Sequence, residues 1–545
     1  MSRASKHSAP HSHFMDNFES SLTPYPYIGP GGMRMVFFQS KQSRSKSAPP
    51  LVKSSSHPSP LAATLEANMQ TVRQRLSDPL DLKFHDLQLS ANSGCLAYLD
   101  TLVDTDIIHE QILLPLAKGL DLPIRQQLTS TDVQIRHDID NVIQDLLSGC
   151  AVLFLRDQDE AYSVNVPSHQ LRSIEEPSNE KVIRGTHDGL IESLSVNLHL
   201  IRKRLETSQL VIRSFEVGDE VQSKLALLYM QDIANPEMIA KATHRLSSIH
   251  ADLFKSSGYV EQLIEDSWLS PFPQILSTER ADRIAYNLIE GRAAVITDGS
   301  PTALVFPVNL FTFFQSPDDY NSRWHIGSFY RMLRILSFFI ASMLPAIYIA
   351  IIAFHFEVLP FKLVVAFKQS VELVPFPPLI EAMLMELTIE LIREAGIRMP
   401  TSIGPVIGIV GGIIIGQAAV EANLVSNVMV IVVAVTATAS FTITSNEMVT
   451  SLRLLRFPFM FAAASFGFLG ISICLSVVLM HLCALESFGT PYLAPLSTGK
   501  WSDMRDAIFR FPLWLLQRRP RDPLPIKTKR STSMRGWLSD EPDDY

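Results

Sequence analysis

The feature that most constrains this chain is four uncharged apolar runs, at 335–356, 401–420, 422–446 and 457–485. Each is about 20 residues or longer, enough to cross roughly 30 Å of hydrocarbon. In lipid the backbone must satisfy its own polar groups, so such runs are predicted to be helices. Everything before Arg334 is mixed in character, and the mean hydropathy of +0.16 averages two unlike halves. Lys and Arg total 47 against 55 Asp and Glu, a formal charge of -8, so there is no basic excess for a nucleic-acid partner.

The stretch 357–398 is apolar but carries Lys362, Lys368, Glu372, Glu381, Glu386 and Glu390. Counting it as one crossing gives five spans near 335–356, 374–392, 401–420, 424–446 and 458–483, within a membrane domain at 326–490. That count puts Arg331, Arg334, Arg393, Arg398, Arg453 and Arg456 on one side, as cytoplasmic retention of basic loops requires. It also places the basic tail 491–545 on the opposite side, whereas four or six spans bring both ends together. No short apolar core with a cleavage site occurs in the first thirty residues, so the first span is expected to direct insertion.

Residues 1–80 are rich in Ser, Pro, Lys and His and read as a disordered leader, with His7, His11 and His13 as solvated residues rather than metal ligands. Between Phe84 and Tyr320 short β-rich runs alternate with amphipathic ones, an α/β pattern. Two matches indicate related subdomains, at 81–190 and 191–325. Tyr98-Leu-Asp-Thr-Leu-Val-Asp-Thr-Asp-Ile-Ile parallels Tyr229-Met-Gln-Asp-Ile-Ala-Asn-Pro-Glu-Met-Ile. Further on, Gly149-Cys-Ala-Val-Leu-Phe-Leu-Arg-Asp parallels Gly291-Arg-Ala-Ala-Val-Ile-Thr-Asp-Gly. The predicted fold is an α/β soluble N-terminal domain of two related subdomains followed by a multi-pass α-helical membrane domain.

No phosphate loop, zinc-protease, nucleophile-elbow or dinucleotide motif occurs, so no enzyme chemistry and no cofactor is expected. Cys95, Cys150, Cys474 and Cys483 lack metal spacing and read as small buried thiols. Gly404, Gly408, Gly412 and Gly416 recur every four residues and give one helix a smooth face for close packing, within a subunit or between protomers. Thr436, Ser440 and Thr444 share a face of the next helix; hydroxyls there either line a hydrated path or bond carbonyls of their own helix. Glu386 and Glu390 lie one turn apart, with Glu381 turned away by about 140°. Acids in an apolar helix mark a candidate cation pathway, and Glu421 is a weaker candidate.

The soluble half carries Ile174-Glu-Glu-Pro, Val182-Ile-Arg-Gly-Thr-His-Asp-Gly, Leu269-Ser-Pro-Phe-Pro-Gln, Thr278-Glu-Arg-Ala-Asp-Arg and Phe313-Phe-Gln-Ser-Pro-Asp-Asp-Tyr. The membrane half carries Val374-Pro-Phe-Pro, Glu381-Ala-Met-Leu-Met-Glu-Leu-Thr, Ile403-Gly-Pro-Val-Ile-Gly-Ile-Val-Gly-Gly, Gly416-Gln-Ala-Ala-Val-Glu-Ala, Leu454-Leu-Arg-Phe-Pro and Phe488-Gly-Thr-Pro-Tyr-Leu-Ala-Pro. In these the chain resembles the A subunit of GerA-type spore germinant receptors over about 82–520. The resemblance implies a homo-oligomeric, nutrient-gated ion channel in the inner membrane of the endospore. Its partners would be a transporter-like B subunit and a lipoprotein C subunit, and its N-terminal domain would face the spore core. A paralogous spore membrane protein, the F product of the fifth-stage sporulation A operon, shares the pattern and would instead imply dipicolinate release. A secondary transporter would need repeated membrane halves, but the repeat found lies in the soluble half; a non-conducting scaffold is the remaining alternative.

Overall fold

In a computed structural model the described residues are 59–62, 64–88, 93–118, 123–130, 132–168, 176–177, 179–252, 256–398, 404–497 and 503–530. His7, His11, His13 and the leader up to residue 58 lie outside them, as do Ile174 and Glu175.

The α/β part consists of two five-stranded antiparallel sheets. The first contains β1 (Leu82–Gln88), β2 (Ser93–Leu99), β3 (Val133–Arg136), β4 (Cys150–Leu155) and β5 (Ala161–Asn165), in the order β1-β2-β4-β5-β3. The second contains β6 (Leu210–Val217), β7 (Ser223–Met230), β8 (Leu276–Thr278), β9 (Ala293–Thr297) and β10 (Ala303–Phe306), in the order β6-β7-β9-β10-β8. Replacing each strand by its counterpart five places on turns one order into the other. The sequence matches fall on equivalent junctions: Asp104 after β2 caps a helical turn by accepting from the Asp106 and Ile107 amides, and Asn235 after β7 accepts from the Glu237 amide. Gly149 and Gly291 precede β4 and β9 with φ of 86° and 101°, a conformation that favours glycine.

Both sheets are covered on both faces, which is why their central strands read as unbroken apolar runs rather than alternating ones. In the first repeat α1 (Leu65–Arg75) and α2 (Ile139–Leu147) bury Leu65, Val72, Val142 and Leu146 against Cys95, Ala97 and Phe154. Helix α1 corrects the leader boundary: residues 65–76 fold, because Leu65, Val72 and Leu76 share one apolar face. The second repeat is covered on one face by α3 (Leu194–Arg204) and α6 (Ala281–Glu290), on the other by α4 (Pro236–Ser247) and α5 (Ser257–Ile264). The repeats are pinned by a buried ion pair, Arg202 Nη2 to Asp81 Oδ1 at 2.7 Å.

Between Trp324 and Ala484 the regular structure is mainly α-helical: α7 (Trp324–Phe354), α8 (Phe361–Glu372), α9 (Pro378–Arg398), α10 (Gly404–Glu421), α11 (Asn427–Phe441) and α12 (Asn446–Ala484). Among the described residues, α7 and α12 are long and apolar enough to cross a membrane.

Helix α12 is a hairpin. A straight helix would set residues 451 and 481 about 45 Å apart. Instead the Ser451 hydroxyl donates to the Pro271 carbonyl while His481 Nε2 bonds Ser270 Oγ at 2.9 Å, so the two halves return to adjacent residues of the second repeat. The reversal occurs at Gly467, with φ 61° and ψ −138°, where a Cβ would stand 2.7 Å from the His355 ring at the far end of α7. With α8, at 12 residues, too short to traverse the bundle, the others make six helical runs, and the fifth run expected from sequence is two antiparallel ones.

The even number returns the C-terminal segment to the soluble domain. Ile526 N donates to Ile233 O at 2.8 Å and Arg530 pairs with Glu290 at 2.7 Å. The described part of the basic tail, up to Arg530, thus lies on the same side as the six arginines, unlike in the five-span arrangement. The second repeat and the near end of the bundle share one apolar core, in which Leu228 and Ile284 join Ala341, Met448, Leu452 and Leu482.

Candidate functional site

The acidic helix α9 buries Glu381, Ala382, Met385 and Glu386 near its start. Glu381, at 0% exposure, places Oε1 2.6 Å from the Ser426 amide at the start of α11, where the helix dipole favours a carboxylate. Ser426 caps α11 through the Met429 amide and shares a hydrogen bond of 2.9 Å with the Tyr348 hydroxyl. Glu381 has no cationic partner among the described residues, and its Oε2 is buried without a hydrogen bond. Glu386 is also buried, but it pairs with Arg456, which additionally donates to Ala341 O at 2.9 Å and Ser440 Oγ at 3.3 Å. Its Oε1 likewise has no partner. One turn nearer the soluble domain, half-exposed Glu390 pairs with Arg453 at 3.0 Å. The acids at four-residue spacing on α9 and the arginines at three-residue spacing on α12 form a two-rung ladder. Sequence reasoning treated both arginines only as basic-loop residues; their spacing was the signal that linked them to the acids.

Glu381 and Glu386 are both buried despite pointing about 140° apart, because α9 is packed on both sides, by α11 and by α12. The hydroxyls of α11 are occupied locally: Thr436 donates to Val432 O at 2.7 Å and Ser440 to Thr436 O at 3.0 Å. Thr444 lies beyond that helix and donates to Phe313 O of the soluble domain at 3.1 Å. Glu421, exposed at the end of α10, accepts from Gln417 Nε2 at 2.9 Å. On the glycine face, Gly416 approaches Val430 Cγ1 at 3.8 Å from its would-be Cβ, whereas Gly412 meets nothing within 4 Å among the described residues. The surroundings of Gly404 and Gly408 lie outside the described residues. The four cysteines are free thiols, and among the described residues no group of His, Cys, Asp or Glu is arranged to hold a metal ion.

Sequence reasoning missed the junction at the entrance of the bundle. Ser316 and Asp319 form a capping box in the Phe313–Tyr320 signature, and buried Asp319 bonds Arg331 at 3.2 Å and Arg334 at 2.9 Å in the first turns of α7. Arg331 continues to Asp506 of the C-terminal segment at 3.0 Å. One carboxylate thus ties the second repeat to α7, and Arg331 ties that helix to the tail.

These features define a class: a duplicated α/β domain locked onto a helical bundle with apolar outer helices and desolvated acids inside. The chain belongs to the GerA family, described as Bacillus/Clostridium GerA spore germination protein, which matches residues 70–522. It is 41% identical to spore germination protein A1 of Bacillus subtilis, across 76% of this chain and 87% of that one. It is 38% identical to spore germination protein B1 of the same organism, across 84% and 96%. Similarity of 37%, across 85% and 91%, extends to an uncharacterized membrane protein, YfkQ, of Bacillus subtilis. The solved N-terminal domain of the A subunit of the Bacillus megaterium spore germinant receptor GerK3 aligns with 46% of this chain and 98% of that one, at 25% identity and a TM-score of 0.36.

Proposed function

We propose that the chain is the A subunit of a spore germinant receptor, acting in the endospore inner membrane with B and C subunits and releasing cations when nutrients are sensed. In this reading it crosses the membrane several times, its duplicated domain faces the spore core, and copies associate through the open part of the glycine face. The observation that carries the conduction step is Glu381: a carboxylate at 0% exposure, without a cationic partner among the described residues and with one oxygen unbonded. The Ser426 amide satisfies one oxygen, and a proton, water or passing cation would satisfy the other. Glu386 is neutralised by Arg456 and serves to hold the helices; Glu390 and Glu421, on more exposed surfaces, suit the mouths of the path.

Gating follows from the junction. A ligand-driven shift of the soluble domain would act on α7 through Asp319 and on both halves of α12 through Pro271 and Ser270, so one rigid movement biases three helices. No covalent chemistry is required. Deleting the gene in its spore-forming host and restoring it as wild type or Glu381→Gln tests the reading. Wild type should restore nutrient-triggered potassium release and Glu381→Gln should restore little of it at equal protein level. An unchanged nutrient response on deletion, with slowed dipicolinate efflux, would refute it in favour of the paralogous role.

A further inference from the structure

A cavity of about 560 Å³ lies between the second repeat and the C-terminal segment, a size suited to a small organic ligand. Its wall carries three carboxylates, and each is already engaged. Asp522 accepts from Arg292 and Asn309, both at 2.9 Å, Glu290 pairs with Arg530 at 2.7 Å, and Asp506 bonds Arg331 and the Tyr320 hydroxyl. Four more arginines line the same cavity without a carboxylate. Arg519 is held by the carbonyls of Ile289, Lys527 and Lys529, which position its guanidinium but do not neutralise it. Burial and neighbouring Arg530 hold its pKa below the usual range. Arg505, Arg518 and Arg521 make no side-chain hydrogen bond among the described residues. The Nε atoms of Arg292, only 3% exposed, and Arg530 are buried and unpartnered on the wall.

Clasping the tail accounts for Arg292, Arg519 and Arg530, but it needs none of the other three. Like charges gathered in a concave, partly desolvated space repel one another unless an anion enters. A single carboxylate would neutralise one guanidinium, whereas several convergent planar donors match a multivalent oxyanion. Phe311, Leu516 and Leu524 add apolar wall beside the charged groups. We propose that this cavity binds a ligand bearing a multivalent phosphate, either free in solution or as the headgroup of an anionic phospholipid. It lies against Asp506, which grips Arg331 of α7, so occupancy would brace the tail where the soluble domain meets the bundle. The proposal does not depend on cation conduction.

The test uses the full chain purified in detergent, titrated calorimetrically with pyrophosphate. Saturable binding at one site per chain is expected, weakened about tenfold or more in the Arg518→Gln/Arg521→Gln double variant, since each charge-assisted bond to phosphate is worth roughly a factor of ten. Both residues are exposed or half-exposed, so the ligand-free melting temperature of that variant should match wild type. Arg292→Gln should weaken binding further. Reconstitution into phosphatidylcholine nanodiscs with or without phosphatidic acid, whose terminal phosphate is multivalent, separates the sources. Competition by phosphatidic acid identifies the headgroup, and unaltered pyrophosphate affinity identifies a free phosphate. Absence of saturable binding together with no phosphatidic acid preference, or equal binding by wild type and double variant, would overturn the proposal.

Discussion

Replacing Glu386 by Gln separates a structural acid from a conducting one. The substitution preserves shape but leaves the Arg456 guanidinium, 5% exposed, without its counter-charge. Removing one member of a buried ion pair costs about 3–5 kcal/mol. Arg456 keeps Ala341 O at 2.9 Å and Ser440 Oγ at 3.3 Å, so the lower end, about 3 kcal/mol, applies here. At roughly 2–4 °C per kcal/mol for a large folding unit, the melting temperature should fall by about 6–12 °C. The assay is a thermal melt of purified protein in detergent, followed by loss of the monodisperse species. The Glu386→Leu/Arg456→Leu double variant, which removes both charges, should recover more than half of that loss, because paired apolar replacement of buried ions is often neutral. Wild-type melting of Glu386→Gln, or a double variant no better than the single, would refute the ion-pair account.

Three further outcomes follow from the geometry. Gly467→Ala should destabilise the bundle, since a Cβ would meet His355 at 2.7 Å with φ at 61°; the same melt checks it, and Gly412→Ala, with nothing within 4 Å among the described residues, should leave it unchanged. Asp319→Asn should uncouple the soluble domain from α7 by leaving Arg331 and Arg334 short of counter-charge, measured as increased proteolysis near residue 323. Burial and neighbouring Glu265 push Glu261 up to about 7 from 4.5, so its folded form binds a proton more tightly than its unfolded form. The stabilisation is complete below about pH 4.5 and is lost as pH rises toward 7; Glu261→Gln should flatten that decline in melting temperature.

The duplication was legible because its two best-matched segments sit where backbone geometry is most demanding. They are the strand-to-helix turns capped by Asp104 and Asn235, and the left-handed glycines 149 and 291. The acidic face of α9 was legible for a related reason: charge in an apolar helix stands out. The partners were not, since Arg453 and Arg456 lie more than sixty residues downstream and fit a basic loop equally well. The reversal in α12 was not legible because the run 457–485 is predominantly apolar, and Gly467 and Gly470 are tolerated inside membrane helices, so nothing sets Gly467 apart as a turn. The left-handed backbone at Gly467 and the contacts of Ser451 and His481 with neighbouring residues reveal it. Helix α1 was hidden by the polar leader in which it begins, its apolar face amounting to three residues. The docking of the tail depends on individual pairs such as Arg292 with Asp522, separated by 230 positions, which no local pattern encodes.

The central claim, a nutrient-responsive cation-releasing subunit, is tested most directly by potassium efflux from spores of the deletion strain carrying either the wild-type gene or Glu381→Gln, after addition of single amino acids and sugars. The account predicts rapid efflux to one nutrient class with wild type and little or none with Glu381→Gln at equal protein level. Equal efflux from both strains would contradict it.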